Sequence, residues 1–237
     1  MKVHIIQHDS YVEPGEYLSW ARRKGFEVSF TRCWLYEEIP NEADSDMLVV
    51  LGGFQCPTTT REECSYFDSA AEQALIRKYV DSGRIVVGVC LGAQLLGDAM
   101  GAPFGRSPNQ EIGPVKARLT DAGRRDPFLR QFPDTFDAGE WHNDMPGINA
   151  DAVILAESDG CPRQIVRYGK YAYGLQTHME FNHDIIAAIL ENTGGKLRAK
   201  GTYVKSQEEL LAYDYTDMNR MLDTFLDALT EDYAGSR

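Results

Sequence analysis

Short apolar runs of strand length alternate with segments of helical periodicity through the first part of the chain. The apolar and β-branched runs cover residues 2–7, 27–32, 46–51 and 84–89. Apolar residues recur at helical spacing in residues 15–24, 67–81 and 92–100, and Gly83 follows the second segment where a helix C-cap is expected. Alternation of this kind predicts an α/β fold with a mostly parallel, open sheet flanked by helices.

The chain between residues 102 and 173 differs, because its β-like runs are shorter and are separated by Pro and Gly. The runs cover residues 113–120, 137–142, 152–157, 164–168 and 171–177. They predict antiparallel additions to the sheet. Further along, Ser206 and Glu209 have the spacing of a helix capping box, and apolar residues recur at helical intervals over residues 210–229. This pattern predicts one closing helix.

Nothing in the sequence marks a boundary between domains. The 237 residues contain no internal repeat, low-complexity tract or linker rich in Ser, Pro or Gly. Their hydrophobic content of 43% is enough for one large core. We therefore expect a single domain over residues 1–237, with residues 196–237 as a C-terminal helical extension packed on it.

The acidic composition limits the partners of the protein. The sequence has 24 Lys and Arg against 36 Asp and Glu, a formal net charge of -12, and such a field repels phosphate backbones and anionic lipid surfaces. We expect neither nucleic acid nor a membrane as a partner. No apolar run approaches the roughly 20 residues that a membrane span needs. The N-terminal residues do not resemble a signal peptide, so we expect a cytoplasmic protein.

The cysteines do not form a disulfide or zinc pattern. There are five, an odd number, and they lie far apart without a C-x-x-C pair. They are Cys33, Cys56, Cys64, Cys90 and Cys161. A small buried thiol is the ordinary interpretation of a free cysteine. Only Cys90 has neighbours that indicate chemistry.

Cys90 lies where a predicted buried strand passes directly into a predicted helix. Gly88 and Gly92 flank it, two residues away on either side. A nucleophile at such a sharp turn needs small neighbours, because its strained backbone leaves no space for side chains. The helix N-terminus favours the thiolate, and the Leu91 amide is suited to donate to an oxyanion formed at Cys90. We predict a nucleophile elbow; the alternative is a buried cysteine in a glycine-rich turn.

A nucleophilic cysteine needs a base, and residues 173–180 offer one at the end of a predicted strand. His178 and Glu180 are two residues apart, so they face the same side of an extended chain and can meet. The carboxylate would then orient the imidazole, as in a nucleophile, base and acid triad. The alternative is an ordinary histidine beside a solvated acid.

Two further features concern the oxyanion and metal binding. Gly52 and Gly53 follow the buried run 46–51, and the Gly53 amide is our candidate for a second oxyanion donor. His178, Glu180 and His183 form an H-x-E-x-x-H pattern. That spacing is not the i, i+4 histidine pair of a zinc-binding helix. We therefore expect no metal.

Taken in their order along the chain, these motifs resemble the class I glutamine amidotransferases, and within them the stand-alone proteins similar to the amidotransferase domain of GMP synthase. The main landmarks are GG at 52–53, GVCLGAQ at 88–94 and YGLQTHME at 173–180. Shorter matches are EIG at 111–113, DPF at 126–128, EWHND at 140–144 and RYG at 167–169. The resemblance covers roughly residues 1–195 and implies a flavodoxin-like fold.

The resemblance also implies a reaction and a substrate. Cys90 would attack the side-chain amide carbon of glutamine, His178 would protonate the departing ammonia, and water would hydrolyse a γ-glutamyl thioester. Glu180 would orient His178. Four residues would bind the substrate: Gln94, His142, Asn143 and Asp144. No cofactor is implied, and the enzyme would act alone or with a separate ammonia-accepting synthase subunit.

The chain departs from the family pattern at three positions. Thr177 and Met179 stand where the family usually has Phe and Pro, and Asn143 stands where it usually has Gly. Replacing Pro by Met loosens the backbone between base and orienter, and Thr177 alters the pocket wall. Two alternatives therefore stay open: a γ-glutamyl peptidase or hydrolase with the same triad, and a non-catalytic glutamine-binding regulatory module.

Overall fold

A computed structural model describes residues 1–195, 197 and 199–236 of the chain. Its first part alternates strands with helices, as the sequence predicts. The elements are β1 (Lys2–Gln7), α1 (Gly15–Arg23), β2 (Glu27–Arg32), β3 (Met47–Val50), α2 (Ser69–Asp81), β4 (Ile85–Val89) and α3 (Leu91–Ala99). The predicted boundaries of β1 and β2 agree with the structure, and the others differ by one or two residues.

The second part contributes more strands and the closing helices. Its strands are β5 (Gly105–Leu119), β6 (Thr135–Met145), β7 (Val153–Ser158), β8 (Ile165–Gly169), β9 (Ala172–Leu175) and β10 (Tyr203–Val204). Its helices are α4 (Asp121–Arg125), α5 (His183–Asn192), α6 (Gln207–Ala212) and α7 (Thr216–Gly235). No helix in the described part of the chain is long and apolar enough to cross a membrane.

The strands form one sheet in the order β10-β5-β7-β8-β9-β4-β3-β1-β2, with β6 paired to β5. Strands β9, β4, β3, β1 and β2 are parallel to one another. Strands β5 to β9 join one another in antiparallel pairs. The predicted α/β fold, a mostly parallel open sheet at the core with antiparallel additions, is confirmed.

Helices cover both faces of the parallel core, because alternate residues of each strand point to opposite sides. Met47 and Val49 of β3 belong to the buried cluster that includes residues of α1, α5 and α7. Leu48 and Val50 of β3 belong to the cluster that includes residues of α2 and α3. Because both faces of these strands are buried, each strand of the parallel core needs a continuous apolar run.

The parallel core brings three chain segments together at one edge. Strand β4 lies between β3 and β9. In register, Val50 lies opposite Gly88, and Val89 lies opposite Leu175. The chain leaves all three strands at their carboxyl ends, which is where open α/β sheets bind ligands.

The prediction of one closing helix over residues 210–229 is wrong, because the chain forms α6 and α7 there. The helix is interrupted at Asp214, whose carboxylate accepts from the N–H and the hydroxyl of Thr216, at 3.0 and 2.6 Å. The Tyr215 hydroxyl donates to the Leu210 carbonyl at 2.9 Å. Side chain to backbone bonds of this kind compete with the helix and start a new one. The capping box of Ser206 and Glu209 is confirmed.

The expected C-terminal extension over residues 196–237 is described except for residues 196, 198 and 237, which lie outside the described residues. Helix α7 contacts α1, and the Trp20 indole N–H donates to Asp227 at 2.7 Å. The run predicted over residues 113–120 is the second half of the longer strand β5. Its first half is largely polar and pairs irregularly with β6 between Arg106 and Glu111, so periodicity did not reveal it.

Helix α3 packs closely on the sheet through two glycines. A Cβ at Gly92 would lie 2.0 Å from the carbonyl oxygen of Val50, and a Cβ at Gly88 would lie 2.3 Å from that of Gly92. Both distances are far below van der Waals contact. These positions tolerate only hydrogen as a side chain.

We expect Gly92→Ala to lower the free energy of unfolding by at least about 2 kcal/mol, because the new methyl overpacks a rigid backbone contact. Denaturant unfolding measures the change. Gly235→Ala is the control, since an added Cβ there meets no atom within 4 Å and should be neutral or slightly stabilising. Equal effects of the two substitutions would contradict the close packing.

Candidate active site

Cys90 occupies the turn between β4 and α3 in a conformation that residues other than glycine rarely adopt. Its φ is 51° and its ψ is -107°. The Cys90 N–H donates to the Leu175 carbonyl at 2.8 Å, and the Cys90 carbonyl accepts from the N–H groups of Ala93 and Gln94 at 3.0 and 3.1 Å. Strand β9 and the first turn of α3 thus hold the strained residue in place.

His178 and Glu180 form a buried pair beside Cys90. The His178 Nδ1 lies 2.7 Å from the Glu180 Oε1. A Cβ at Gly52 would lie 3.0 Å from the His178 Cε1 and 3.4 Å from the Cys90 Cβ. The imidazole and the cysteine side chain therefore both approach Gly52, at a position where any larger residue would obstruct them.

The charges around His178 favour its protonated form. Burial opposes the imidazolium, but the Glu180 carboxylate and the Cys90 sulfur outweigh burial and raise the pKa of His178 to about 10. A protonated imidazole facing a sulfur is the arrangement that stabilises a thiolate.

Residues 177–181, which we call the base segment after the role predicted for His178, are fixed from three directions. The Phe181 ring stacks on the His178 imidazole, with centroids 4.3 Å apart. The His178 N–H and the Thr177 hydroxyl both donate to the Gly139 carbonyl of β6, at 2.7 and 3.0 Å. From α7, the Asn219 amide donates to the carbonyls of Met179 and Phe181, at 2.8 and 3.1 Å. The backbone around Met179 is thus restrained without a proline.

A cavity of about 190 Å³ opens over Cys90. It is lined by Val12, Gly53, Phe54, Gln55, Cys90, Leu91, Gln94, Gln110, Trp141, His142, Asn143, Asp144, His178, Phe181 and Ile189. Every residue that the sequence nominated for the site lines this cavity, except Glu180, which lies behind His178. Among described residues, the Gly53 and Leu91 amides have no hydrogen-bond acceptor, so both are free to donate to a ligand.

The nominated substrate-binding residues differ in how firmly they are held. The Gln94 side chain is buried and donates to the Gln176 side chain at 3.1 Å, so it is not a surface residue of α3. Asp144 accepts from the exposed Arg106 at 3.2 Å. The Trp141 carbonyl lies 3.9 Å from the Cys90 sulfur.

His142 lies between two buried carboxylates. Its Nε2 donates to Glu111 at 3.1 Å and lies 3.2 Å from Glu140. Burial opposes the imidazolium, but the two acids raise the pKa of His142 to about 10. Burial raises the pKa of Glu140 to about 7, although His142 opposes this. Ser158 and Gln164 donate to the Glu111 carboxylate. This buried hydrogen-bond network lies beside the cavity and holds the His142 ring in place.

Metal-ligating side chains come together at two places in the described residues, and several of their atoms already make hydrogen bonds. His183 is exposed on α5, apart from the buried His178 and Glu180. The donor atoms of His8, Cys33 and Glu72 lie within 4.8 Å of one another, as do those of Glu111, His142 and Cys161. In the first group both His8 nitrogens are hydrogen-bonded. In the second, Glu111 accepts from three side chains.

Comparisons with known proteins identify the family. The family described as glutamine amidotransferase class I matches residues 18–194. The chain belongs to the class I glutamine amidotransferases. It is 47% identical over 233 residues to the glutamine amidotransferase-like protein YfeJ of Salmonella typhimurium, with 97% of this chain and 98% of that protein covered. The resemblance read from the motifs is thereby confirmed.

Two further relatives extend the comparison. The crystal structure of SMU.1228c has a TM-score of 0.93 and 44% identity, with 97% of this chain and 100% of that chain covered. One subunit of the glutamine-hydrolysing GMP synthase from Ignicoccus hospitalis is 31% identical over 147 residues, 61% of this chain and 71% of that protein. The fold of SMU.1228c is therefore shared over nearly the whole chain.

Sequence reasoning missed several residues of this site. Phe181 and Asn219 carried no signal, since stacking on His178 and reaching the base segment depend on how α7 packs. For the buried pair of His8 and Glu72, the sequence does contain a signal. Glu72 lies three and four residues before Leu75 and Ile76 on the apolar face of α2, and an acid at such a position needs a buried partner.

We expect Asn219→Ala to lower the free energy of unfolding by about 1 to 3 kcal/mol, because it removes the donors from the Met179 and Phe181 carbonyls. Thermal or denaturant unfolding measures the loss. Asn192→Ala is the matched control, since Asn192 is exposed and bonds only the Ala188 carbonyl of its own helix. An Asn219 effect no larger than the Asn192 effect would show that α7 does not hold the base segment.

We expect Glu180→Gln to lower the pKa of His178 from about 10, as measured by NMR titration of the imidazole. In the parent protein the folded state holds the proton more tightly than the unfolded chain. The pairing thus stabilises the fold fully below the unfolded value of 6.5, and this contribution is lost as the pH rises through about 10. The difference in the free energy of unfolding between parent and variant should therefore decrease as the pH rises from 6.5 to about 10. Glu191→Gln, on α5, should change neither quantity.

Proposed function

We propose that this chain hydrolyses the side-chain amide of glutamine through a γ-glutamyl thioester at Cys90 and releases ammonia. The observation that carries the proposal is the joint position of the strained Cys90, the His178 and Glu180 pair, and two free backbone amides around one cavity. Family membership supports the same reaction.

The first half of the reaction forms the thioester. The proton of the Cys90 thiol resides on His178, and the thiolate attacks the amide carbon. The amides of Gly53 and Leu91 donate to the oxyanion of the tetrahedral intermediate. His178 then gives its proton to the leaving nitrogen, the carbon–nitrogen bond breaks, and ammonia departs.

The second half regenerates the enzyme. His178, now neutral, accepts a proton from water, and the resulting hydroxide attacks the thioester carbonyl. The carbon–sulfur bond breaks and glutamate leaves, which restores the thiolate and the protonated imidazole. Glu180 keeps the Nδ1 proton of His178 in place throughout, so that Nε2 performs each transfer.

The remaining cavity residues fit the polar end of the substrate. The amides of Gln94 and Asn143 can donate to a carboxylate, and the Asp144 carboxylate can accept from an ammonium group. His142 lies beside them, held by the buried carboxyl groups of Glu111 and Glu140. We propose that these four residues hold the α-amino and α-carboxylate groups of glutamine or of another γ-glutamyl compound.

We propose that the chain acts as one domain, with the helical C-terminal part fixing the base segment. Similarity to one subunit of a GMP synthase supports a separate synthase subunit that accepts the ammonia. The five free cysteines suit a reducing compartment such as the cytoplasm. No cofactor takes part in the proposed steps.

A diazoketone analogue of glutamine should label Cys90, because its electrophilic carbon lies where the amide carbon would. Mass spectrometry locates the label. Cys90→Ala should lose the label and at least about a thousandfold of ammonia release from glutamine. Cys56→Ala, which removes a partly exposed thiol outside the cavity, should retain both. Ammonia release retained by Cys90→Ala would contradict the proposal.

Two further measurements separate the remaining alternatives. Faster cleavage of γ-glutamyl dipeptides than of glutamine would identify a γ-glutamyl peptidase with the same catalytic residues. Calorimetric binding of glutamine without hydrolysis, and without a trapped thioester at Cys90, would identify a regulatory module. Either result overturns the glutaminase assignment.

A further inference from the structure

Another buried ion pair lies directly beneath the proposed oxyanion donor. His8 follows β1, and its Nε2 lies 2.9 Å from Glu72 of α2. Both side chains are fully buried, at 0% exposure. The His8 Nδ1 lies 3.0 Å from the carbonyl oxygen of Gly52. None of the steps proposed above uses this pair.

Hydrogen bonding fixes one of the two protons that the pair needs. The Gly52 carbonyl can only accept, so the His8 Nδ1 must carry a hydrogen. A carboxylate likewise can only accept, so the Nε2 contact with Glu72 needs a second proton, on the imidazole or on the acid. The Nδ1 hydrogen bond to Gly52 therefore exists whichever of the two groups holds that proton.

The surroundings of His8 favour the proton on the imidazole. Burial opposes the imidazolium, but the Glu72 carboxylate, at hydrogen-bonding distance, raises the pKa of His8 above its usual value, and Asp9 adds to this. The Phe67 and His8 rings pack edge to face, with centroids 5.7 Å apart. This packing excludes water from one side of the ring and keeps its orientation.

The Gly52 carbonyl and the Gly53 N–H belong to one peptide group. No cis peptide bond is present among the described residues, so this N–H points away from the carbonyl that His8 binds. A charged donor on the carbonyl oxygen draws electron density from the peptide nitrogen and strengthens the N–H as a donor. It also prevents the peptide from rotating, which glycine at both positions would otherwise allow.

We propose that His8, held by Glu72, is a positioning residue that orients and polarises the 52–53 peptide toward an oxyanion at Cys90. The inference rests on the proposed function, because it assumes that the Gly53 N–H serves that oxyanion. A buried ion pair stabilises a fold little compared with apolar packing. The contact of His8 with the Gly52 carbonyl indicates that the pair positions this peptide rather than stabilising the fold.

Two double variants isolate the hydrogen bond to Gly52 from the charge. Glu72→Gln with His8→Asn keeps an amide donor near the His8 Nδ1 position, whereas Glu72→Gln with His8→Leu removes the donor at similar volume. The single variant Glu72→Gln keeps the imidazole donor and removes the charge. His4→Asn, within β1 and bonded to Ser29 and Thr31, is the control.

Glutamine hydrolysis should fall about tenfold in Glu72→Gln and about a hundredfold in the Leu double variant, within the range for oxyanion donors. The Asn double variant should recover part of that loss. The fall should be in kcat, with KM nearly unchanged, because the oxyanion exists only after attack. Alkylation of Cys90 by iodoacetamide forms no oxyanion, so its rate should remain at the parent value in all variants.

The outcomes separate the two proposals. A parent protein that does not hydrolyse glutamine overturns the proposed function and this inference together. A parent that hydrolyses glutamine, with variants of equal kcat, overturns the inference alone. A fall in alkylation that parallels the fall in kcat, or equal losses in the Asn and Leu double variants, would show a general structural role and also overturn it.

Discussion

The close approach of α3 to the parallel sheet is the constraint on which the site depends. Gly92 lies against the Val50 carbonyl, and Gly88 lies against Gly92. This contact lets the chain pass directly from β4 to α3 at Cys90. The unfavourable backbone of Cys90 costs roughly 1 to 3 kcal/mol, and the hydrogen bonds to β9 and α3 offset that cost. The sulfur is therefore placed by backbone packing.

The order of the parallel strands then determines what surrounds the sulfur. Strand β9 delivers the His178 and Glu180 pair on one side of β4, and β3 delivers the glycine peptide on the other. Strand β1, one position further out, places His8 behind that peptide. Two buried imidazoles, each tied to an acid, thus lie near Cys90: His178 beside the sulfur and His8 against the glycine peptide. Helices α2 and α7 supply Glu72 and Asn219, which fix them from outside.

The fold and much of the candidate site could be predicted from local patterns. Buried parallel strands are read from continuous apolar runs, and Cys90 is marked by glycines whose need is steric. The pairing of His178 with Glu180 follows from their spacing on an extended segment. The polar first half of β5 and the break at Asp214 could not be predicted, since irregular strand pairing and a side-chain hydrogen bond decided them against the local periodicity.

The sequence by itself determined the α/β class, the elbow at Cys90 and the pairing of His178 with Glu180, because each depends on neighbours within a few positions. The tertiary structure alone decided the partners that come from distant elements. Asn219 reaches the base segment from α7, and Glu72 reaches His8 from α2. Such contacts depend on how helices pack against a twisted sheet, and no local pattern encodes the distance between a helix and a strand far along the chain.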